Sequence, residues 1–268
     1  ICPAEPLPWY YTVYDVYKGL FDFLGSISDS LSTYFTRATQ WRPSCEPLTL
    51  DLDGDGIETV GINTNNPILF DHDADGVKTA TGWVGPDDGL LVLDRNNNGV
   101  IDNGRELFGD STQLSSGGNA SDGFAALADL DSNADGQINA NDSQFANLKV
   151  WRDLNQDGIS QADELSTLDQ QNIASISLTT TQNNQLLSDG NRILDLGTYT
   201  KTDGTTGTTG ATGQQVADLD FIENPFYTDF IDSVPITPEA ELLPNMQGSG
   251  LVRDLREAAV ASFQLSIK

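Results

Sequence analysis

A chain of 268 residues with an apolar fraction of 38% and 25 glycines has room for one large core or two modest ones between many loops. Forty acidic against 13 basic residues leave a net charge of −27, and the acids are bunched in short Asp/Asn/Gly motifs; five divalent cations would neutralise only ten of those charges, so neither nucleic acid nor an anionic membrane is an expected partner. There is no initiator Met, no basic stretch leading into an apolar one and no apolar run of about 18 residues, so the chain reads as part of something longer, with neither signal peptide nor membrane span visible.

Residues 1–44 are aromatic-rich and free of acidic motifs. Tyr10, Val13, Tyr17, Leu20, Leu24, Ile27, Leu31 and Tyr34 recur at alternating steps of three and four, which predicts a helical upstream segment weakened by Gly19 and Gly25. It either packs on its own domain or serves a partner. Arg42-Pro43-Ser44 ends it. Cys2 and Cys45 are the only cysteines; a disulfide between them would close this segment into a loop, and two free thiols are the alternative.

Residues 45–268 form the second region, and it opens on an Xaa-Pro bond, Glu46-Pro47, joined to an acidic loop. Asp51, Asp53 and Asp55 alternate, Gly56 permits the turn and Ile57 offers a carbonyl, which is the first half of an EF-hand-type calcium loop. The second loop is Asp71, Asp73, Asp75, Gly76, Val77, and the third is Asp94, Asn96, Asn98, Gly99, Val100 with Asp102 and Glu106. The fourth is Asp131, Asn133, Asp135, Gly136, Gln137 with Asp142; the fifth is Asp153, Asn155, Asp157, Gly158, Ile159 with Glu164. Only the fifth carries the whole twelve-residue pattern with a bidentate Glu, and the fourth has Asp142 in its place. Loops one and two have Ile62 and Gly82 at the twelfth position, so each is either a site completed by distant oxygens or an Asx-rich turn. Carboxylates clustered in this way repel one another without a divalent ion, so calcium is the expected cofactor and folding should depend on it. Loops of moderate affinity fill at extracellular calcium levels, which points to a secreted protein.

Between the loops, strands are predicted at Ile68 to Phe70, Thr79 to Val84, Leu90 to Leu93, Ile173 to Leu178 and Arg192 to Thr200, and helices at Gly123 to Ala128, Asp142 to Leu148 and Asp163 to Gln170. The Thr/Gly-rich run Thr202 to Gly213 reads as a hairpin or surface loop. A closing helix from Leu251 to Phe263, capped by Ser249, would carry Arg253 and Arg256 either onto acidic loops or on a solvated face. The expected fold is α+β: short strands and helices pinned by calcium loops, after a helical N-terminal segment.

His72 is the only histidine and occupies the second position of loop two, which normally points to solvent. Without a second histidine or a Gly-x-Ser-x-Gly elbow, a Ser-His-Asp or Cys-His hydrolase is not expected, nor is a zinc site.

Pro47-Leu-Thr-Leu-Asp-Leu-Asp-Gly-Asp-Gly-Ile-Glu-Thr, Leu69-Phe-Asp-His-Asp-Ala-Asp-Gly, Thr79-Ala-Thr-Gly-Trp-Val, Asp102-Asn-Gly-Arg-Glu-Leu-Phe-Gly-Asp, Val150-Trp-Arg-Asp-Leu-Asn-Gln-Asp-Gly, Tyr199-Thr-Lys-Thr-Asp-Gly and Arg253-Asp-Leu-Arg-Glu-Ala-Ala follow in order. Together they resemble the self-processing module of FrpC-type iron-regulated RTX proteins, over about Cys45 to Ser262. The resemblance implies secretion by a type I route, calcium dependence, and calcium-triggered cleavage of an Asp-Pro bond at the head of the module. It also implies that the new C-terminal Asp is joined to a lysine on an acceptor protein as an isopeptide. At the position that matters most this chain differs, because residue 46 is Glu. An Asp carboxylate closes a five-membered anhydride on its own carbonyl; a Glu must close a six-membered ring with one more rotor, which costs about 0.5–1 kcal/mol. Misplacing the attacking oxygen by about 1 Å would cost a further ~100-fold. The expected state is therefore uncleaved, with Glu46 and Pro47 at the scissile position. The alternative is a non-catalytic, calcium-stiffened module of a large secreted adhesin.

Overall fold

The computed structural model describes residues 46–207 and 213–265, so the helical segment expected over 1–44 and the Cys2/Cys45 pairing lie outside the described residues. What is described corrects the α+β expectation. The protein is mostly β, built on a nine-stranded antiparallel sheet curled into a half-barrel, with few and short helices. In chain order its strands are β1 (Leu48–Leu50), β2 (Thr59–Val60), β3 (Leu69–Phe70), β4 (Val77–Thr81), β5 (Trp83–Val84), β6 (Gly89–Val92), β7 (Gln137–Asn139), β8 (Lys149–Trp151), β9 (Leu165–Thr167), β10 (Ile173–Ser177), β11 (Thr181–Leu186), β12 (Arg192–Lys201), β13 (Gln215–Asp220) and β14 (Glu223–Phe230). The α-helices are α1 (Gly123–Ala128), α2 (Pro238–Glu241) and α3 (Leu255–Leu265).

The main sheet runs β7-β10-β12-β13-β1-β6-β8-β9, with β11 also on β12. Alternate residues of its central strands enter two different cores, as the two-residue period of a strand requires. Leu91, Val150 and Val216 join Leu48, Leu50, Phe124, Leu127 and Tyr199 on one face. Leu90, Val92, Trp151, Ala217 and Leu219 join Phe70, Trp83 and Phe221 on the other. Coverage on both faces explains why β6 reads as an uninterrupted apolar run, Gly-Leu-Leu-Val, all of it buried. The first core is closed by α1, which Asp122 caps by accepting from the Ala125 amide at 2.7 Å.

The helix expected at Gly123 to Ala128 forms as α1, but the acidic loops join strands where EF-hands join helices, and this is the physical reason the helices expected beside loops four and five do not form. Loop two links β3 to β4 and loop five links β8 to β9, each closing an antiparallel pair. The segment expected as a helix over Asp163 to Gln170 contributes β9, because Leu165–Thr167 pair with β8. Over Asp142 to Leu148 only a 3₁₀ turn, Phe145–Asn147, is formed. At the C-terminus Ser249 caps no helix: its amide donates to the Val252 carbonyl and its hydroxyl to the Pro225 carbonyl, while α3 begins at Leu255. Arg253 precedes that helix, pairs with Asp232 and Glu257 and covers the Phe230 ring, and Arg256 donates to the Leu243 carbonyl.

Candidate functional site

Loops two to five share one backbone. The fourth position has a positive φ at a non-glycine residue (Ala74 56°, Asn97 59°, Ala134 56°, Gln156 58°), and the sixth is a glycine in the same region (Gly76 90°, Gly99 88°, Gly136 79°, Gly158 70°). That fold-back aims the amides of positions five and six at the carboxylate of position one. Asp71 accepts from Asp75 and Gly76, Asp94 from Asn98 and Gly99, Asp131 from Asp135 and Gly136, and Asp153 from Asp157 and Gly158, all between 2.8 and 3.2 Å. In each, the seventh amide (Val77, Val100, Gln137, Ile159) donates to the side chain of the fifth.

The remaining acids close these rings. Asp142 accepts from the Ser132 and Asn139 amides, both at 2.9 Å. Glu164 accepts from the Leu154 and Gln161 amides and from the Trp151 indole. Glu106 accepts from the Asp102 amide through one oxygen, while its other oxygen is buried without a partner, as is the side-chain oxygen of Gln161 beside loop five. Buried acceptors without donors fit a hard cation. Burial first, and the like charges of Asp75 and Asp71 after it, raise Asp73 to about 6, and burial raises Asp71 and Asp153. Oxygens of Asp71, Asp73 and Asp75 lie within 4.8 Å of one another.

Loop one departs from the pattern. Asp51 is fully buried and accepts from the Gly54 amide at 2.8 Å and from the distant Gly213 amide at 2.9 Å, while its carbonyl takes the Tyr199 hydroxyl at 2.7 Å. Oxygens of Asp51 and Asp53 come within 4.8 Å of each other and of Asp88, a residue outside all five loop patterns. Asp55 stands outside this cluster and shares hydrogen bonds with Asp53 and with Glu58, whose carboxyl is raised to about 7 by burial and by the bond from Asp55. Asp88 accepts from the Leu52 and Glu58 amides and is raised to about 8, mainly by burial. The missing twelfth-position acid of loop one is thus supplied 37 residues downstream of Asp51.

The Glu46–Pro47 peptide directly precedes β1, and the next peptide, Pro47–Leu48, is held from both sides. The Pro47 carbonyl accepts from the Leu219 amide at 3.2 Å, and the Leu48 amide donates to the Phe108 carbonyl at 3.0 Å. A Cβ on Gly109 would stand 2.6 Å from the Glu46 carbonyl oxygen and 3.1 Å from its carbon, so only glycine lets residue 109 back onto that carbonyl. Across β13, Asp218 faces Leu48 and is fully buried. Its Oδ2 accepts from the Gly123 amide at 3.1 Å and its Oδ1 has no partner; burial, then the charge of Glu46, push its pKa well up.

A family model for the SPM domain matches residues 48–213, starting one residue beyond Pro47. The chain belongs to the SPM domain family. Iron-regulated protein FrpA of Neisseria meningitidis serogroup C is 52% identical over 221 residues, which cover 82% of this chain and 19% of that protein. The chain therefore spans about a fifth of that relative's length. The resemblance to the FrpC-type self-processing module is borne out by both comparisons.

Within this SPM domain, three contributors escaped sequence reasoning: Asp88, Gly109 and Asp218. Gly109 lies inside Asp102-Asn-Gly-Arg-Glu-Leu-Phe-Gly-Asp, a motif that carried the resemblance without a role attached to its glycines. His72 does not point to solvent. It is buried among Phe70, Trp83 and Phe221, touches the Thr81 hydroxyl at 3.2 Å, and burial lowers its pKa to about 3, which leaves it a poor base. It does line the recess over the Glu46–Pro47 bond, with Gly104, Leu107, Gly109, Asp110 and Ser111. Among the described residues no helix is long and apolar enough to cross a membrane.

Proposed function

We propose that the chain carries a calcium-triggered self-processing module whose substrate is its own peptide bond before Pro47, kept intact by Glu46. The observation that carries this reading is Gly109 packed against the residue 46 carbonyl, beside a Pro47–Leu48 peptide clamped between Leu219 of β13 and Phe108. An Asp at position 46 attacks its own carbonyl carbon through a side-chain oxygen, and the bond to the Pro47 nitrogen breaks. Its tertiary amide is easier to twist and protonate than a secondary one, and a fixed orientation is worth up to roughly 7–11 kcal/mol of barrier. The cyclic anhydride then yields to water, giving cleavage, or to a lysine amine of an acceptor protein, giving an isopeptide. With Glu46 the ring is larger and the attacking oxygen displaced.

Calcium, when bound, neutralises the loop carboxylates and lets the strands that the loops join close on one another. Asp51, Asp53 and Asp88 would hold it at loop one, and Asp153, Asn155, Asp157 and Glu164 at loop five, with parallel sets at loops two to four. The chain transmits the result mechanically: Asp51 follows β1 directly, and the three residues of β1 separate it from Pro47. Dependence on calcium at extracellular levels agrees with a secreted protein.

The test is a gel. Purified Glu46→Asp protein in millimolar calcium is expected to split between residues 46 and 47 within hours, and to remain whole in chelator. A single band throughout would reject self-cleavage and leave a calcium-stiffened structural module.

A further inference from the structure

The cleavage reaction needs a proton at one atom. An amide nitrogen leaves only if it is protonated as its bond to carbon breaks, because an amide anion is too basic to depart near neutral pH. Pro47 is buried, so solvent is a poor source.

Asp218 is fixed at the right place by three strands: it pairs with Leu48 of β1 and with Asp195 of β12. The Leu219 amide bond to the Pro47 carbonyl and the Asp51 amide bond to the Gln215 carbonyl make Leu48 and Asp218 a pair without mutual hydrogen bonds, the kind whose side chains approach most closely. Alternation puts residue 46 on the face of Leu48, a diagonal neighbour of Asp218. Peptide planes in a strand lie near the plane of the sheet, so a twisting amide turns its nitrogen lone pair toward one face. One Asp218 oxygen is held by the Gly123 amide, and the other is buried with no partner. An ionised carboxylate in such a site would be costly, whereas a carboxylic acid keeps a hydroxyl to give.

Resting on the self-cleavage reading, we propose that Asp218 is the proton donor to the leaving Pro47 nitrogen. The side-chain oxygen of residue 46 forms its bond to the carbonyl carbon, the bond from that carbon to the Pro47 nitrogen breaks, and the released electron pair takes the Asp218 proton. The products are a neutral anhydride, a neutral secondary amine and an Asp218 carboxylate, so the single negative charge passes from residue 46 to Asp218. The Gly123 amide already in place then binds the new charge. Burial keeps Asp218 protonated beforehand, and the acids facing it reinforce this: Glu46 ahead of β1, Asp122 at the cap of α1 and Asp195 on β12.

The test compares Glu46→Asp with Glu46→Asp/Asp218→Asn at saturating calcium, following cleavage by gel and folding by circular dichroism. The Asn variant keeps the Gly123 contact but has no acidic proton. It is expected to keep the calcium-loaded fold and to cleave about 100-fold or more slowly at pH 7, with a rate that rises about tenfold per unit of acidification as solvent replaces the missing donor. Glu46→Asp alone is expected to be flat near neutrality and to slow at alkaline pH as Asp218 ionises, a limb that the calcium carboxylates, already ionised, do not produce. Cleavage of the double variant within threefold of the single one at pH 7 would overturn the assignment. If the double variant does not fold, the profile of Glu46→Asp decides, and a rate undiminished up to about pH 10 overturns it. If Glu46→Asp itself does not cleave, the self-cleavage reading fails and this role falls with it.

Discussion

Gly109 lies against the carbonyl of Glu46 so closely that a single methyl on its Cα would stand 2.6 Å from the oxygen. The neighbouring Phe108 carbonyl holds the Leu48 amide at 3.0 Å, so the strand cannot back away without losing that bond. In the Glu46→Asp background, Gly109→Ala is expected to move the carbonyl and slow cleavage by about 100-fold, while the calcium-loaded fold persists. Rates from a cleavage gel beside circular dichroism check this; an unchanged rate would mean the carbonyl reacts from another position.

Asp88 brings a distant carboxylate to within 4.8 Å of Asp51 and Asp53, and in the calcium site we propose there its position makes loop one the loop dependent on tertiary structure. In the Glu46→Asp background, Asp88→Asn is expected to leave loops two to five and the calcium-induced fold in place and to suppress cleavage. Asp55→Ala is expected to do less, because Asp55 divides its carboxyl between Asp53 and Glu58 and stands outside the Asp51, Asp53 and Asp88 cluster. Calcium calorimetry with parallel gels separates the two, and a greater loss from Asp55→Ala than from Asp88→Asn would reverse the assignment.

The loops were legible because their geometry is local: a carboxylate at position one and amides at five and six lie within six residues, and the turn residues between them are visible as Asp, Asn and Gly. The strands after Gly89 and Arg192 were legible from their apolar residues. What stayed hidden depends on pairing. Gln215–Asp220 reads as an acidic stretch and becomes a central strand because β1 and β12 flank it, and its charged Asp218 is buried only there. Leu48–Leu50 was absorbed into the reading of loop one, and Leu165–Thr167 lost helical character to pairing with β8.

Without calcium, pH should act on stability with a definite sign. Asp88 is raised to about 8 and Glu58 to about 7 in the folded chain, so between their ordinary values and these the folded state binds more protons than the unfolded one. Their contribution is full below the unfolded values and is lost as pH rises through the folded ones. His72, lowered to about 3, acts oppositely, but only below its ordinary value of 6.5. In chelator the melting temperature is therefore expected to fall between about pH 6.5 and 8, and calcium, which replaces the proton of Asp88, is expected to make the slope shallower while Asp218, also raised by burial, keeps its part of it. A chelated melting temperature that rises across this range would contradict the burial of Asp88.

Glu164 separates calcium binding from simple hydrogen bonding at loop five. Its buried carboxylate accepts from the Leu154 amide at 3.0 Å and from the Trp151 indole and Gln161 amide at 3.2 Å, and it is the bidentate ligand in the calcium site we propose for that loop. Glu164→Ala orphans these donors, and an unmet buried polar group costs about 1–3 kcal/mol, so the variant should lose stability in chelator as well as in calcium. Glu164→Gln keeps the size and one acceptor oxygen but gives up the charge and the second oxygen. It should melt close to the parent in chelator, yet bind calcium more weakly and gain less stability from it. Melting curves with and without chelator, beside calcium calorimetry, distinguish the pair. If Glu164→Gln bound calcium as tightly as the parent, Glu164 would be a structural acceptor only and the ion at loop five would have to be held by Asp153, Asn155 and Asp157 without it.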